Sequence, residues 1–159
     1  MSALYLALGA AAISRWGSIK IASQIISTIT VLKTAYPEIK LNNVIKELDI
    51  EATVNTIQMA VNTHEIGNES YNIAREYVIK SLERVKFLIE TVQMKTMRYN
   101  NSWKQYYKKL SLNKEERALT SEMKILKQRY KRMIDLKLIP TFNPIRTIKD
   151  GMKLMDKRD

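Results

Sequence analysis

The chain contains no cysteine, so disulfides, thiolate metal sites and a thiol nucleophile are all excluded. Glycine and proline are scarce as well, four and three in 159 residues, which leaves few places for tight turns. A many-stranded sheet needs more punctuation than that, whereas the abundant Lys, Glu, Leu, Ile and Met favour helix. Large aromatics are few in one sense only: two Phe and two Trp stand beside eight Tyr, eight Met and nineteen Ile. The single histidine, His64, sits beside Glu65 near an expected helix end, and one imidazole without a ligand set is not a metal site. There is no Glu-x-x-His pair for a carboxylate-bridged metal bundle and no glycine-rich phosphate loop. Nothing positions a serine against the histidine either. The expectation is a protein that is not an enzyme, with no cofactor, no metal and no small-molecule substrate.

Acid is missing from the start of the chain, where the first carboxylate is Glu38. Charge is then distributed unevenly. Residues 1–85 hold eight Lys/Arg and eight Asp/Glu, while residues 86–159 hold nineteen and eight, which supplies the whole net charge of +11. Asymmetry of this kind marks attachment to a polyanion or a membrane. Lys outnumbers Arg eighteen to nine beside plentiful Ile and Asn, a bias that fits an AT-rich genome.

Long hydrophobic runs are also lacking, with one partial exception. Residues 3–13 are uninterruptedly apolar, yet as a helix they would reach roughly 16 Å, about half a bilayer's hydrocarbon core. No basic residue precedes the run, so it is read as an association element and not as a cleaved signal. Ala3, Ala7 and Ala11 would give it a smooth face for close helix contact. Leu4, Leu6, Leu8, Ile13 and Trp16 are the residues expected to bury in a membrane interface or in a partner subunit.

Four segments follow from periodicity and punctuation: an apolar N-terminal association segment at 1–36, short helices at 37–67, a long basic hairpin at 68–138, and a linker with a C-terminal amphipathic helix at 139–159. In the first, Ile19, Ala22, Ile26 and Ile29 recur at helical steps until Tyr36-Pro37 breaks the pattern. In the second, Asn42 or Asn43 and then Asp49 are the expected N-caps, and Gly67 suits a left-handed helix end. In the third, Tyr71, Ala74 and Val78 begin a seam that continues through Leu82, Val85, Ile89, Val92, Thr96, Tyr99, Trp103, Tyr106 and Leu110. That spacing predicts one helix of about forty residues, ending at Ser111-Leu112-Asn113. Asn113-Lys114-Glu115-Glu116 then reads as a capping box, and Leu119, Met123, Leu126, Tyr130 and Met133 carry a second seam. Two such helices with so short a connection should fold back on each other. In the fourth, Ile145, Ile148, Met152 and Met155 share one side of a last helix.

The stretch Val44-Ile45-Lys46-Glu47-Leu48-Asp49-Ile50-Glu51-Ala52-Thr53-Val54 resembles the core of a helix-turn-helix DNA reader over about twenty residues. Asp49 stands where that motif usually has glycine, and Glu51 to Thr63 contains no Lys or Arg. Asn55, Gln58 and Asn62 would be the only base-edge donors, a thin set for a recognition helix.

The basic segment is the sharpest feature. Residues 91–132 carry twelve Lys/Arg and three Glu, interleaved with Tyr99, Trp103, Tyr106, Tyr107 and Tyr130. Tyr99, Trp103 and Tyr106 hold the seam register and are expected to be buried, whereas Tyr107 falls off it and is the one expected outside. Lys95, Lys104, Lys108, Lys109 and Lys127 avoid seam positions and are the residues expected to bind a polyanion. The sequence therefore predicts an all-α protein: a long antiparallel coiled-coil-like hairpin packed with shorter helices and an apolar N-terminal helix. Its expected role is a structural or scaffolding subunit of a larger assembly, membrane-apposed or viral in setting. The expected partners are other protein subunits and an anionic membrane surface. A nucleic-acid-binding module without sequence preference is the alternative.

Overall fold

Every element formed by the described residues, 19–63 and 68–138 of this computed structural model, is helical. Five α-helices run in order: α1 (Ile21–Ala35), α2 (Leu41–Glu47), α3 (Ile50–Val61), α4 (Glu69–Asn100) and α5 (Asn113–Leu138), with a 3-10 turn (Trp103–Tyr106) between the last two. The N-terminal apolar run, His64, Gly67 and the C-terminal segment from Ile139 lie outside the described residues.

Helix α4 is the spine. Asn68 opens it, its side-chain oxygen accepting from the Tyr71 amide at 2.8 Å. Tyr71, Ala74, Val78, Leu82, Val85, Ile89, Val92 and Thr96 are then all buried, matching the predicted seam position for position. Against that face α5 buries Leu119, Met123, Leu126 and Met133. Polar contacts set the direction of the pair. Arg129 donates to the Tyr77 carbonyl and Ser81 Oγ, Arg84 faces Glu122 at 3.7 Å, and Lys95 faces Glu115 at 3.1 Å. Partner numbers fall as α4 numbers rise, so the two helices are antiparallel.

Helix α1 lies along α4 and also touches α3, burying Ala22, Ile25, Ile29 and Leu32. It ends at Ala35, just before Tyr36-Pro37, because the residue preceding proline is pushed out of the helical region. The expected caps of the short helices are not formed. Helix α2 starts at Leu41, and the Asn42 amide donates instead to the Tyr36 carbonyl at 2.9 Å. Asp49 does precede α3, but its backbone is left-handed at φ 51° and its side chain makes no capping bond. Aspartate tolerates that region better than most residues, which lets the chain turn sharply between α2 and α3 without glycine.

Two amides on α3 hold the start of α1. Asn62 forms a two-way bond with the Ile19 backbone, accepting its N–H at 3.3 Å and donating to its carbonyl at 3.2 Å. Gln58 Oε1 accepts the Ala22 amide at 2.7 Å, satisfying one of the orphan donors in the first turn of α1. Arg75, buried on α4, donates from Nε to the Val61 carbonyl at 2.8 Å and so closes the C-terminal end of α3. Desolvation on burial pulls its pKa down from the ordinary arginine value, while Tyr71 and Glu76 oppose the shift.

Candidate functional site

The predicted helix of about forty residues is shorter than expected, and the shortfall leaves an exposed aromatic surface on the loop that follows it. Helix α4 stops at Asn100, not near Leu110. Asn100-Asn101-Ser102 supplies the stop, since such side chains compete with helical backbone bonds. The Asn101 amide turns back to the Met97 carbonyl at 3.0 Å, and both the backbone and the hydroxyl of Ser102 donate to the Tyr99 carbonyl. A 3-10 turn follows over Trp103–Tyr106, closed by the Tyr107 amide on the Lys104 carbonyl at 3.1 Å, which also accepts from the Lys108 amide at 2.7 Å. The Tyr99 hydroxyl donates to the Lys108 carbonyl across the loop, and Leu112 is buried where the chain rejoins the bundle. Helix α5 opens with the Leu112 carbonyl accepting from Glu116, so Asn113, the expected cap, is already helical, and Glu115 of the expected box pairs with Lys95.

Loop 101–112 is thus fastened at both ends, but its rings do not fold inward. Trp103 is 79% exposed, Tyr106 82% and Tyr107 71%. The expected burial of Trp103 and Tyr106 is therefore wrong, and Tyr99 is only half-buried. Their heptad spacing persists in the sequence, but the helix that would carry them inward has ended and no facing helix remains to cover them. In a 3-10 turn side chains three apart eclipse, so Trp103 and Tyr106 project on the same side.

The charge around these rings is of one sign. Between Glu90 and Glu115 the chain holds Lys95, Arg98, Lys104, Lys108, Lys109 and Lys114 and no carboxylate. Five of them, Lys95, Arg98, Lys104, Lys108 and Lys109, line one shallow groove beside the loop together with Ser102. A second groove, where the α1–α2 turn meets the loop, adjoins the first through Tyr99, Lys109, Leu110 and Ser111 and carries Glu38 and Glu116 together with Lys40 and Lys109. Of the residues expected to meet a polyanion, the fold brings Lys95, Lys104, Lys108 and Lys109 together, and Lys95 shares its charge with Glu115. Lys127 is exposed on α5, several turns from the loop. Arg98 was missed by the sequence reading, although the absence of acid around it was a visible signal. Leu4, Leu6, Leu8, Ile13 and Trp16 fall outside the described residues.

Other functional readings find little footing among the described residues. No group of three His, Cys, Asp or Glu side chains is placed to hold a metal, and no helix is long and apolar enough to cross a membrane. On the helix-turn-helix-like segment, Asn62 spends both ends of its amide and Gln58 its carbonyl oxygen on the start of α1, and of the expected donor set Asn55 alone is exposed. Glu51 there pairs with Lys33. In comparison with known proteins, the chain matches no protein-family model, no curated protein and no solved structure.

Proposed function

We propose that this protein is a structural subunit of a larger assembly, a stiff coiled-coil-like hairpin that attaches to a polyanion by its tip. The observation that carries the reading is loop 101–112, where three exposed aromatic rings stand among lysines without a carboxylate. A folded monomer gains nothing from leaving a Trp and two Tyr in water, and contact surfaces are enriched in both residues. The apolar run at 3–13, read as a helix, would supply a second attachment to protein subunits. The division of labour is simple: packed helices hold the spacing, while the two special segments make the contacts. No step of this role needs a catalytic group or a cofactor. The alternative, a nucleic-acid-binding module without sequence preference, draws on the same lysines and rings, because ring faces can stack on bases.

The test is to change Lys95, Lys104, Lys108, Lys109 and Lys127 together to Gln and to recover the protein from its source. Helix content should be unchanged, and the variant should fail to enter the complex in which the parent is found. Binding of the parent to any polyanion should fall steeply with salt. A variant that assembles and binds as well as the parent would refute the attachment role of the basic tip. Loss of the parent's partners on nuclease treatment would favour the alternative.

A further inference from the structure

We infer that the polyanion met by the tip is an anionic phospholipid bilayer, with Trp103, Tyr106 and Tyr107 entering the headgroup layer and the adjacent basic groove taking lipid phosphates. This rests on the proposed attachment through the tip and specifies its partner.

Three features favour a bilayer over a nucleic-acid strand. First, the rings sit on the loop that joins an antiparallel helix pair, and none of the three lines the basic groove. Single-strand binders lay aromatic faces in a groove that tracks the backbone through several nucleotides. Here the groove without carboxylates adjoins one that mixes Glu38 and Glu116 with Lys40 and Lys109, so no uninterrupted basic track leads on from the loop. Second, the ring types are those of membrane interfaces. Trp and Tyr carry an apolar body and a polar atom that stays at headgroup level, and Lys104, Lys108 and Lys109 have stems long enough to keep their ammonium groups among phosphates. Third, apolar exposure continues behind the tip. Met97 and Met94 are exposed on α4, the first of them three residues before its end, about 5 Å at the helical rise. A headgroup layer is roughly 5–7 Å deep, half the difference between the full bilayer and its hydrocarbon core. Met97 therefore lies within about one headgroup depth of the end of α4. Thioethers offer nothing to a phosphodiester chain, but they lose nothing in lipid.

Charge and rings then act together. A surface of neutral lipid offers only the apolar term, and a soluble phosphate offers only the electrostatic one. Anionic membrane attraction is on the order of 1 kcal/mol per cation near the surface, a factor of about five for each lysine. The three loop lysines would account for about a hundredfold.

The experiment uses the full chain with Trp16→Phe, which leaves Trp103 as the one tryptophan, and phosphatidylcholine vesicles with or without phosphatidylserine. With phosphatidylserine present, Trp103 emission should shift to the blue and be quenched by brominated acyl chains. Without it, both signals should be near zero. Changing Lys104, Lys108 and Lys109 to Gln should weaken binding about a hundredfold, read from the Trp103 blue shift against lipid concentration, and changing Tyr106 and Tyr107 to Ala should reduce the bromine quenching of Trp103. The substituted side chains are all exposed, so each variant should remain folded, with at most a small fall in thermal midpoint. Trp103 emission that stays water-like on anionic vesicles would overturn the inference, as would equal quenching on neutral ones. If Trp103 were silent on vesicles but quenched by a single-stranded oligonucleotide, with the same lysine dependence, the lipid partner would be wrong while attachment through the tip stood. Binding of inositol hexakisphosphate without vesicle insertion would have the same meaning. Silence toward all of these would overturn both.

Discussion

Ile89 and Trp103 lie two heptads apart at the same position of one seam, and replacing each by Ala should give opposite results. Ile89 is fully buried on α4, packed in the core that α5 completes. Removing its outer carbons leaves a cavity that the neighbouring helices close only in part, which costs about 2–5 kcal/mol. Trp103 is 79% exposed, so about a fifth of the ring is covered. A buried aromatic hides some 150–250 Å². A fifth of that, at about 25 cal/mol per Å², is about 1 kcal/mol as an upper limit. Urea unfolding followed by far-UV circular dichroism separates the two. With the same slope of roughly 1–3 kcal/mol per molar for both, Ile89→Ala should lower the midpoint by about two to five times as much as Trp103→Ala, whose shift stays within about 1 M even at the shallowest slope. If both substitutions lowered it equally, α4 would continue through the loop with Trp103 inside, and the exposed tip would not exist.

Three further outcomes follow from single contacts. Asn62→Ala removes both bonds to the Ile19 backbone and should cost about 1–2 kcal/mol, with faster hydrogen exchange at the Ile19 amide; unchanged exchange there would mean that the side chain does not hold the start of α1. Arg75→Met strands the Val61 carbonyl and should lower stability by roughly 1.5–3 kcal/mol, whereas a neutral result in thermal melts would show that water takes over that end of α3. For Lys95 and Glu115, a double-mutant cycle with Lys95→Met and Glu115→Gln should give a coupling of at most about 1 kcal/mol that shrinks with salt, because the lysine is exposed. A coupling of zero would free Lys95 entirely for an external anion.

The seam from Tyr71 to Thr96, the end of α1 at Ala35 and the helical class were all legible in the sequence. Burial at steps of three and four is a local record of which face a helix turns inward, and a proline acts on its immediate neighbour. The charge asymmetry was equally plain, since it needs only counting. What periodicity could not decide was where the face stops being covered. Trp103 and Tyr106 keep the spacing of buried residues, yet coverage depends on a partner, and α5 begins only at Asn113, beyond the reach of the turn that carries them. Polar side chains posed the same difficulty. Gln58 and Asn62 read as surface amides, and only the packing of α3 beside the start of α1 turned them into backbone partners 36 and 43 residues away in sequence. Likewise the gathering of Arg98 with Lys104, Lys108 and Lys109 into one groove arises because the chain reverses through a 3-10 turn. Sequence determined the helices and their charge; the tertiary fold decided which rings face water and which cations share a surface, because both depend on groups distant along the chain.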